Sequence, residues 1–222
     1  METKTVHVEN FDQIAFKDFG KLILQQGDHE SLTIEADKDI IDDLKAEVSE
    51  GTLHLGVDDD WVGRLGKAFT AIFSSPKPKV IYSLTFKDLS AIDIAGKCDL
   101  ECDHLKTNQL KLKISGLGNI AIPHLACDAL EIHISGRGDF TAAGTVPQCN
   151  VRITGSAEVN APNLVSQSMS ISISGQGNAT VHVEKNLDIT ISGLGQVYYY
   201  GQPSLRQVIS GLGRSKRLND GQ

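Results

Sequence analysis

Ile114-Ser115-Gly116-Leu117-Gly118-Asn119-Ile120 opens with a phrase that the chain states seven times: Ile94-Ala95-Gly96, Ile114-Ser115-Gly116, Ile134-Ser135-Gly136, Ile153-Thr154-Gly155, Ile173-Ser174-Gly175, Ile191-Ser192-Gly193 and Ile209-Ser210-Gly211. The glycines step by 20, 20, 19, 20, 18 and 18 residues. A fixed period of this length predicts stacked repeats, in which no unit buries its apolar face alone and each completes its neighbour.

Aligned on the repeat glycine, the residue two before it is always isoleucine. Four before come Ile92, Leu112, Ile132, Val151, Ile171, Ile189 and then Gln207. The positions between, such as Asp93, Lys113, His133 and Arg152, are polar. Apolar residues at every second position predict a strand with one buried face, because successive side chains point to opposite sides. After the glycine the alternation resumes with Leu100, Ile120, Phe140, Val159, Ala179 and Val197. The Ser-Gly-x-Gly phrase is therefore a corner between two strands, where glycine is expected to accept unusual backbone angles and to let neighbouring corners stack closely.

Strands recurring at this interval leave no room for helical crossovers. They predict an all-β fold, a right-handed parallel β-helix-like stack of about 20-residue coils in which each coil pairs with the next. A propeller blade needs about 40 residues and fits less well. Seven coils at ~4.8 Å spacing would make a rod roughly 30 Å long.

Composition narrows the function classes. The 222 residues carry 21 lysines and arginines against 28 acidic residues, a formal charge of −7, with 5% aromatics. Nonspecific nucleic-acid binding wants a basic face and stacking platforms, and neither is supplied. No apolar run reaches the length of a spanning helix. The start, Met1 to Val6, lacks the apolar core of a secretion signal, which fits a cytoplasmic protein or a chain that begins after a removed signal. Among the cysteines, Cys102 and Cys149 fall in inward columns, so with Cys98 and Cys127 they read as small core residues rather than a disulfide or metal set.

Residues 1–88 punctuate differently and are read as a β-rich cap over one end of the stack, with residues 89–218 as one continuous repeat unit. Turns at Gln26-Gly27-Asp28 and Glu50-Gly51 separate short strands there. Asp37 to Val48, with Ile40, Ile41, Leu44 and Val48 on one side, predicts a short helix. A helical insertion at about 58–79 places Trp61, Val62, Leu65, Ala68, Phe69, Ile72 and Phe73 near helical spacing, with Arg64 and Lys67 between them. Folding back over the cap is the plainer reading. Trp61, Leu65, Phe69, Ile72 and Phe73 otherwise offer a surface for a homo-oligomer, a protein partner or, more remotely, a membrane surface.

The segment around Phe11-Asp12-Gln13-Ile14, the turn at Gln26-Gly27-Asp28, Gly51 with Leu53, and the serial Ser-Gly-x-Gly corners together resemble the bacterial auto-transporter adhesin head domains, or head GIN domains. The resemblance covers most of the chain, and the insertion is its clearest departure. It implies an all-β, β-helix-like fold in a periplasmic or cell-surface setting, and carries over no catalytic residues.

Candidate chemistry is sparse. The column three after the glycine reads Asp99, Asn119, Asp139, Glu158, Asn178, Gln196 and Arg214, and Asp139 with Glu158 is the place where stacked oxygens would suit calcium. Stacked amides and acids more often bond each other or water. His104 and His124 both lie eight after their glycine and are expected to be vertical neighbours; two histidines are too few for a zinc site, and a solvated pair is the plainer reading. Arg137-Gly138-Asp139 has the letters of an integrin motif, but its glycine belongs to the repeat. The pairs Lys111 with Glu131 and Asp188 with Arg206 read as cross-strand support. No zincin helix, phosphate loop or nucleophile elbow is present. The expectation is a non-catalytic binding or structural protein without a cofactor, holding a glycan or protein ligand; a β-helix enzyme acting on carbohydrate is the alternative.

Overall fold

The computed structural model describes residues 1–57 and 79–219; the tryptophan-containing insertion, with Trp61, Leu65, Phe69, Ile72 and Phe73, lies outside the described residues. The fold is a β-solenoid of about six turns with parallel coils about 20 residues apart. In chain order the first strands are β1 (Glu2–Val6), β2 (Gln13–Phe16), β3 (Phe19–Gln26), β4 (Ser31–Ala36), β5 (Leu44–Ser49), β6 (Thr52–Val57), β7 (Ile81–Phe86), β8 (Ala91–Ile94) and β9 (Lys97–Cys102). The repeats continue as β10 (His104–Ile114), β11 (Leu117–Ile134), β12 (Arg137–Thr145), β13 (Gln148–Ile153), β14 (Ser156–Ile173), β15 (Gln176–Ile191), β16 (Leu194–Tyr200), β17 (Ser204–Ile209) and β18 (Leu212–Arg217).

Each coil has three sides. The first precedes the corner, and its strands stack in the order β5, β6, β2, β8, β10, β11, β13, β14, β15, β17. The second follows the corner in the order β1, β4, β7, β3, β9, β11, β12, β14, β15, β16, β18. A short third side pairs residues 104–107 with 124–127 and continues through Gly144, Leu164 and Val165. Strands β11, β14 and β15 are long because they run without a break around two of these bends.

The isoleucine column fills the interior. Ile94, Ile114, Ile134, Ile153, Ile173 and Ile191 are each 0% exposed, while Ile209 in the last coil is only partly buried. All four cysteines are free and buried, and burial pushes the Cys98, Cys102 and Cys149 thiols up to about 12. They are inert filling, in keeping with their columns.

Of the two reasons anticipated for the corner glycines, unusual backbone angles and close stacking, the second is the one that holds. None of the seven has a left-handed φ; among the described residues the glycines that do are Gly20, Gly51, Gly144 and Gly201. What the corners require is room. A Cβ on Gly116 would stand 2.1 Å from the Gly96 carbonyl oxygen, and one on Gly136 would stand 2.0 Å from that of Gly116. Consecutive corners thus touch backbone to backbone, which only an absent side chain permits.

Two readings of the N-terminal part change. Asp37 to Val48 is not a helix: Ile41–Asp43 makes one 3-10 turn and Leu44–Ser49 is β5, antiparallel to β6. And the first 88 residues do more than edge the stack. Strands β2 and β3 form a coil of their own, inserted out of sequence order between β6 and β7 on one side and β8 and β9 on the other. Antiparallel β5 on one side and β4 with β1 on the other then close the end, which removes the parallel edges that would otherwise pair with another molecule.

In that out-of-order coil Asp18 stands where the repeats have glycine, since Ala95 and Gly96 donate to the Phe16 carbonyl and Lys97 donates to that of Asp18. Asp18 is 4% exposed, accepts from the Phe19 N–H at 2.7 Å and takes the Tyr82 hydroxyl. Burial raises its pKa above the ordinary 3.8, and the two hydrogen bonds only partly offset this. The folded state therefore holds this proton more tightly than the unfolded state does. Its contribution to stability is complete below pH 3.8 and is lost as the pH rises through the folded value. Relative to Asp18→Asn, the native protein is expected to lose stability from the carboxylate range toward neutrality. Urea midpoints of both proteins across that interval test this, and a rising difference rejects it.

Candidate functional site

The repeat that builds the core also builds a surface. On the strands after each corner, the residues one and three after the glycine point outward, and the residue between them points in and is mostly glycine. These two outward columns, with the inward column between them, line a long trough of about 950 Å³ along the stack. Its walls are Lys97, Leu117, Arg137, Ser156, Gln176, Leu194 and Leu212 on one side, and Asp99, Asn119, Asp139, Glu158, Asn178, Gln196 and Arg214 on the other. At ~4.8 Å per coil it is roughly 30 Å long.

Register makes the second wall a true ladder: Asn119 lies between Asp99 and Asp139, Glu158 between Asp139 and Asn178, and Gln196 between Asn178 and Arg214. Asn119 Nδ2 donates to Asp99 Oδ1 at 2.8 Å, and the Gln196 N–H donates to Asn178 Oδ1 at 3.2 Å. At the far end Arg214 Nη2 donates to Gln196 Oε1 at 3.1 Å and to the Tyr198 hydroxyl at 3.2 Å, while that hydroxyl donates to Gln196. These bonds hold the side chains upright and leave their remaining donors and acceptors facing solvent.

Three cations, Lys97, Arg137 and Arg214, balance three carboxylates, Asp99, Asp139 and Glu158, so the trough has polarity without net charge. Leu117 and Leu194 are each 48% exposed and Leu212 is 80% exposed, adding apolar steps between the polar ones. Asp139 and Glu158 are neighbours in this ladder. Calcium takes six to eight oxygens, and here the adjoining positions are an amide on either side. Arg137-Gly138-Asp139 is the start of β12, a regular strand, and a Cβ on Gly138 would meet the Gly118 carbonyl oxygen at 2.1 Å. The motif's glycine is thus explained by stacking.

On the third side His104 and His124 are register partners, as expected, with rings stacked 4.3 Å apart. The column reading missed their third member, Asp103, because it lies in no repeating column; the only sign was its position next to His104. Among the described residues these three form the group that could hold a metal ion. The pairs Lys111–Glu131 and Arg206–Asp188 are cross-strand ion pairs at 3.5 and 3.7 Å, both too exposed to add more than a few tenths of a kcal/mol.

Similarity to known proteins agrees with this architecture. A crystal structure described as a putative adhesin from Bacteroides fragilis has a TM-score of 0.84 at 24% identity, with 99% of this chain and 96% of that one covered. One described as a putative lipid binding protein from Parabacteroides distasonis has a TM-score of 0.71 at 19% identity, with 98% and 96% covered. A third, described as a putative adhesin from Parabacteroides merdae, has a TM-score of 0.67 at 20% identity, with 98% and 95% covered. No curated protein sequence matches. The profile of the family described as "Putative auto-transporter adhesin, head GIN domain" matches residues 10–203. With that span covering most of the solenoid, from β2 to the turn after β16, the chain belongs to the head GIN domain family.

Proposed function

We propose that the protein is a non-catalytic adhesin-like module of the bacterial envelope or cell surface, and that it holds an extended neutral glycan in the corner trough. The observation that carries the reading is the trough itself: a line of polar side chains without net charge, interrupted by apolar steps and advancing once per coil. A linear glycan has the matching character, with hydroxyls along its edges and C–H faces between them. Each coil adds a similar small contact, so affinity should grow with ligand length rather than reside in one pocket. The family description as adhesin heads supports the surface setting. One structural neighbour is called a lipid binding protein, but a lipid tail would want an apolar trough, and amides and charges line most of this one.

Catalysis on a glycan is the competing reading. Glycosidases place two carboxyl groups so that they flank the scissile bond. Here Asp99, Asp139 and Glu158 stand in a single column and face a bound chain from one side.

The deciding experiment is retention on a panel of neutral oligosaccharides of graded length, run with a reducing-end assay for products. Retention should rise with length and fall at least tenfold in Asn119→Trp and Asn178→Trp, which fill the trough from exposed positions and leave the core untouched. Product release would establish the enzyme instead, and retention unchanged in both variants would remove the trough as the site.

A further inference from the structure

The third side of the solenoid carries a constellation that the trough does not use. The Asp103 carboxylate reaches both stacked imidazoles: Oδ2 lies 2.7 Å from His104 Nδ1, and Oδ1 lies 3.6 Å from His124 Nδ1. The rings are within 6° of parallel, and the three side chains are 74, 69 and 61% exposed for Asp103, His104 and His124. The backbone beneath is fixed. His104 and His124 sit in a ten-pair parallel ladder, and the Asp103 carbonyl accepts from the His124 backbone N–H at 3.1 Å.

We propose that Asp103, His104 and His124 bind one divalent transition-metal ion of the zinc type, with water completing its coordination. Two imidazole nitrogens and a carboxylate oxygen are the donor set that zinc takes in open sites, whereas calcium and magnesium prefer oxygen alone. One ligand atom from each residue already lies within 4.8 Å of the other two. Bond lengths of ~2.0–2.2 Å in a tetrahedron require ligand atoms roughly 3.4 Å apart, so the Asp103–His104 contact at 2.7 Å must open slightly while the Asp103–His124 contact at 3.6 Å hardly changes. The terminal torsions of histidine and aspartate are broad, and the exposed side chains have room to turn. His124 Nδ1 also lies 3.1 Å from the Asp103 carbonyl oxygen, a contact that metal binding would replace as the two rings turn out of parallel about χ2 toward a shared point.

The bound ion would tie β10 to β11 close to the register shift between Ile122 and Leu125 in the pairing of β11 with β12. None of the three residues lines the trough, so the site is independent of the glycan reading. Binding would also not draw on the cysteines, which are buried.

The test is calorimetric titration of untagged full-length protein with zinc chloride at pH 7.5, together with the visible spectrum of its cobalt(II) form. The expected result is one zinc per chain, a tetrahedral cobalt band in the native protein, and at least tenfold weaker binding in His104→Ala and in His124→Ala. Absence of binding and of the cobalt band overturns the proposal, as does a stoichiometry and affinity preserved in the double histidine variant, which would mark an adventitious ion only.

Discussion

Gly155→Ala is expected to abolish native folding. The added methyl would stand 2.0 Å from the Gly136 carbonyl oxygen and 2.3 Å from that of Ser135, and both are backbone atoms of the neighbouring corner. Relief cannot come from a side-chain rotation. It needs the two coils to part by about 1 Å, and that stretches the bonds from Gly155 N–H to the Ile134 carbonyl at 3.1 Å and from Ser156 N–H to the Gly136 carbonyl at 2.9 Å. Overpacking typically costs 1–3 kcal/mol and each unmet buried donor or acceptor about as much again, so the sum reaches roughly 5 kcal/mol, the lower end of a domain's whole margin. Gly177→Ala is the internal control. There the nearest atoms are the Ile153 side-chain methyls at 3.0 Å, and the register partner Ala157 already carries the methyl. Circular dichroism melts of the two variants should differ by tens of degrees; similar melts would show that corner contact does not limit stability.

Ile173→Asp is expected to have a comparably large effect. Ile173 is 0% exposed and lies in register between Ile153 and Ile191, so the carboxylate would be buried with no cation or donor beside it, at a cost of several kcal/mol. The same substitution at Ile209, which ends the column and is only partly buried, should cost far less because solvent reaches the last coil. Urea midpoints and soluble yield check the contrast. Soluble Ile173→Asp protein with an unchanged midpoint would deny that the isoleucines share one core.

The contrast between these two isoleucines reflects what was legible in the chain. Wherever the Ser-Gly phrase recurs, period and alternation specify the coil, its buried columns and its register, because each residue answers to a copy of itself one coil away. The coil made by β2 and β3 was not legible for the same reason. Its corner reads Lys17-Asp18 instead of Ser-Gly, and its neighbours in the stack lie about 40 and 80 residues along the chain. Asp37 to Val48 misled because Ile40, Ile41, Leu44 and Val48 fit a helical spacing, while Leu44, Ala46 and Val48 fit a strand running into the turn at Glu50-Gly51. Pairing with β6 settles the competition in favour of the strand, as tertiary context overrides weak local preference. At the site, the ladder was visible as a column, but the trough was not. It depends on the other wall as well, a relation between two columns rather than a property of one.

The two ends of the molecule differ from its middle and from each other. One is closed by antiparallel strands. In the other, Gln207 and Ser215 take the inward places of Ile189 and Val197 in the coil before, and the Ser215 hydroxyl donates to Gln207 Oε1 at 2.5 Å across the interior. Between these two ends the solenoid is a ruler whose divisions can be added or removed from within. Deleting residues 117–136 would join Gly116 to Arg137 with every column still in phase. The trough would then be shorter by one coil, ~4.8 Å, and by one pair of side chains. Reach along a polymer is in this architecture a whole number, set by the count of a twenty-residue phrase and independent of the chemistry written in each copy.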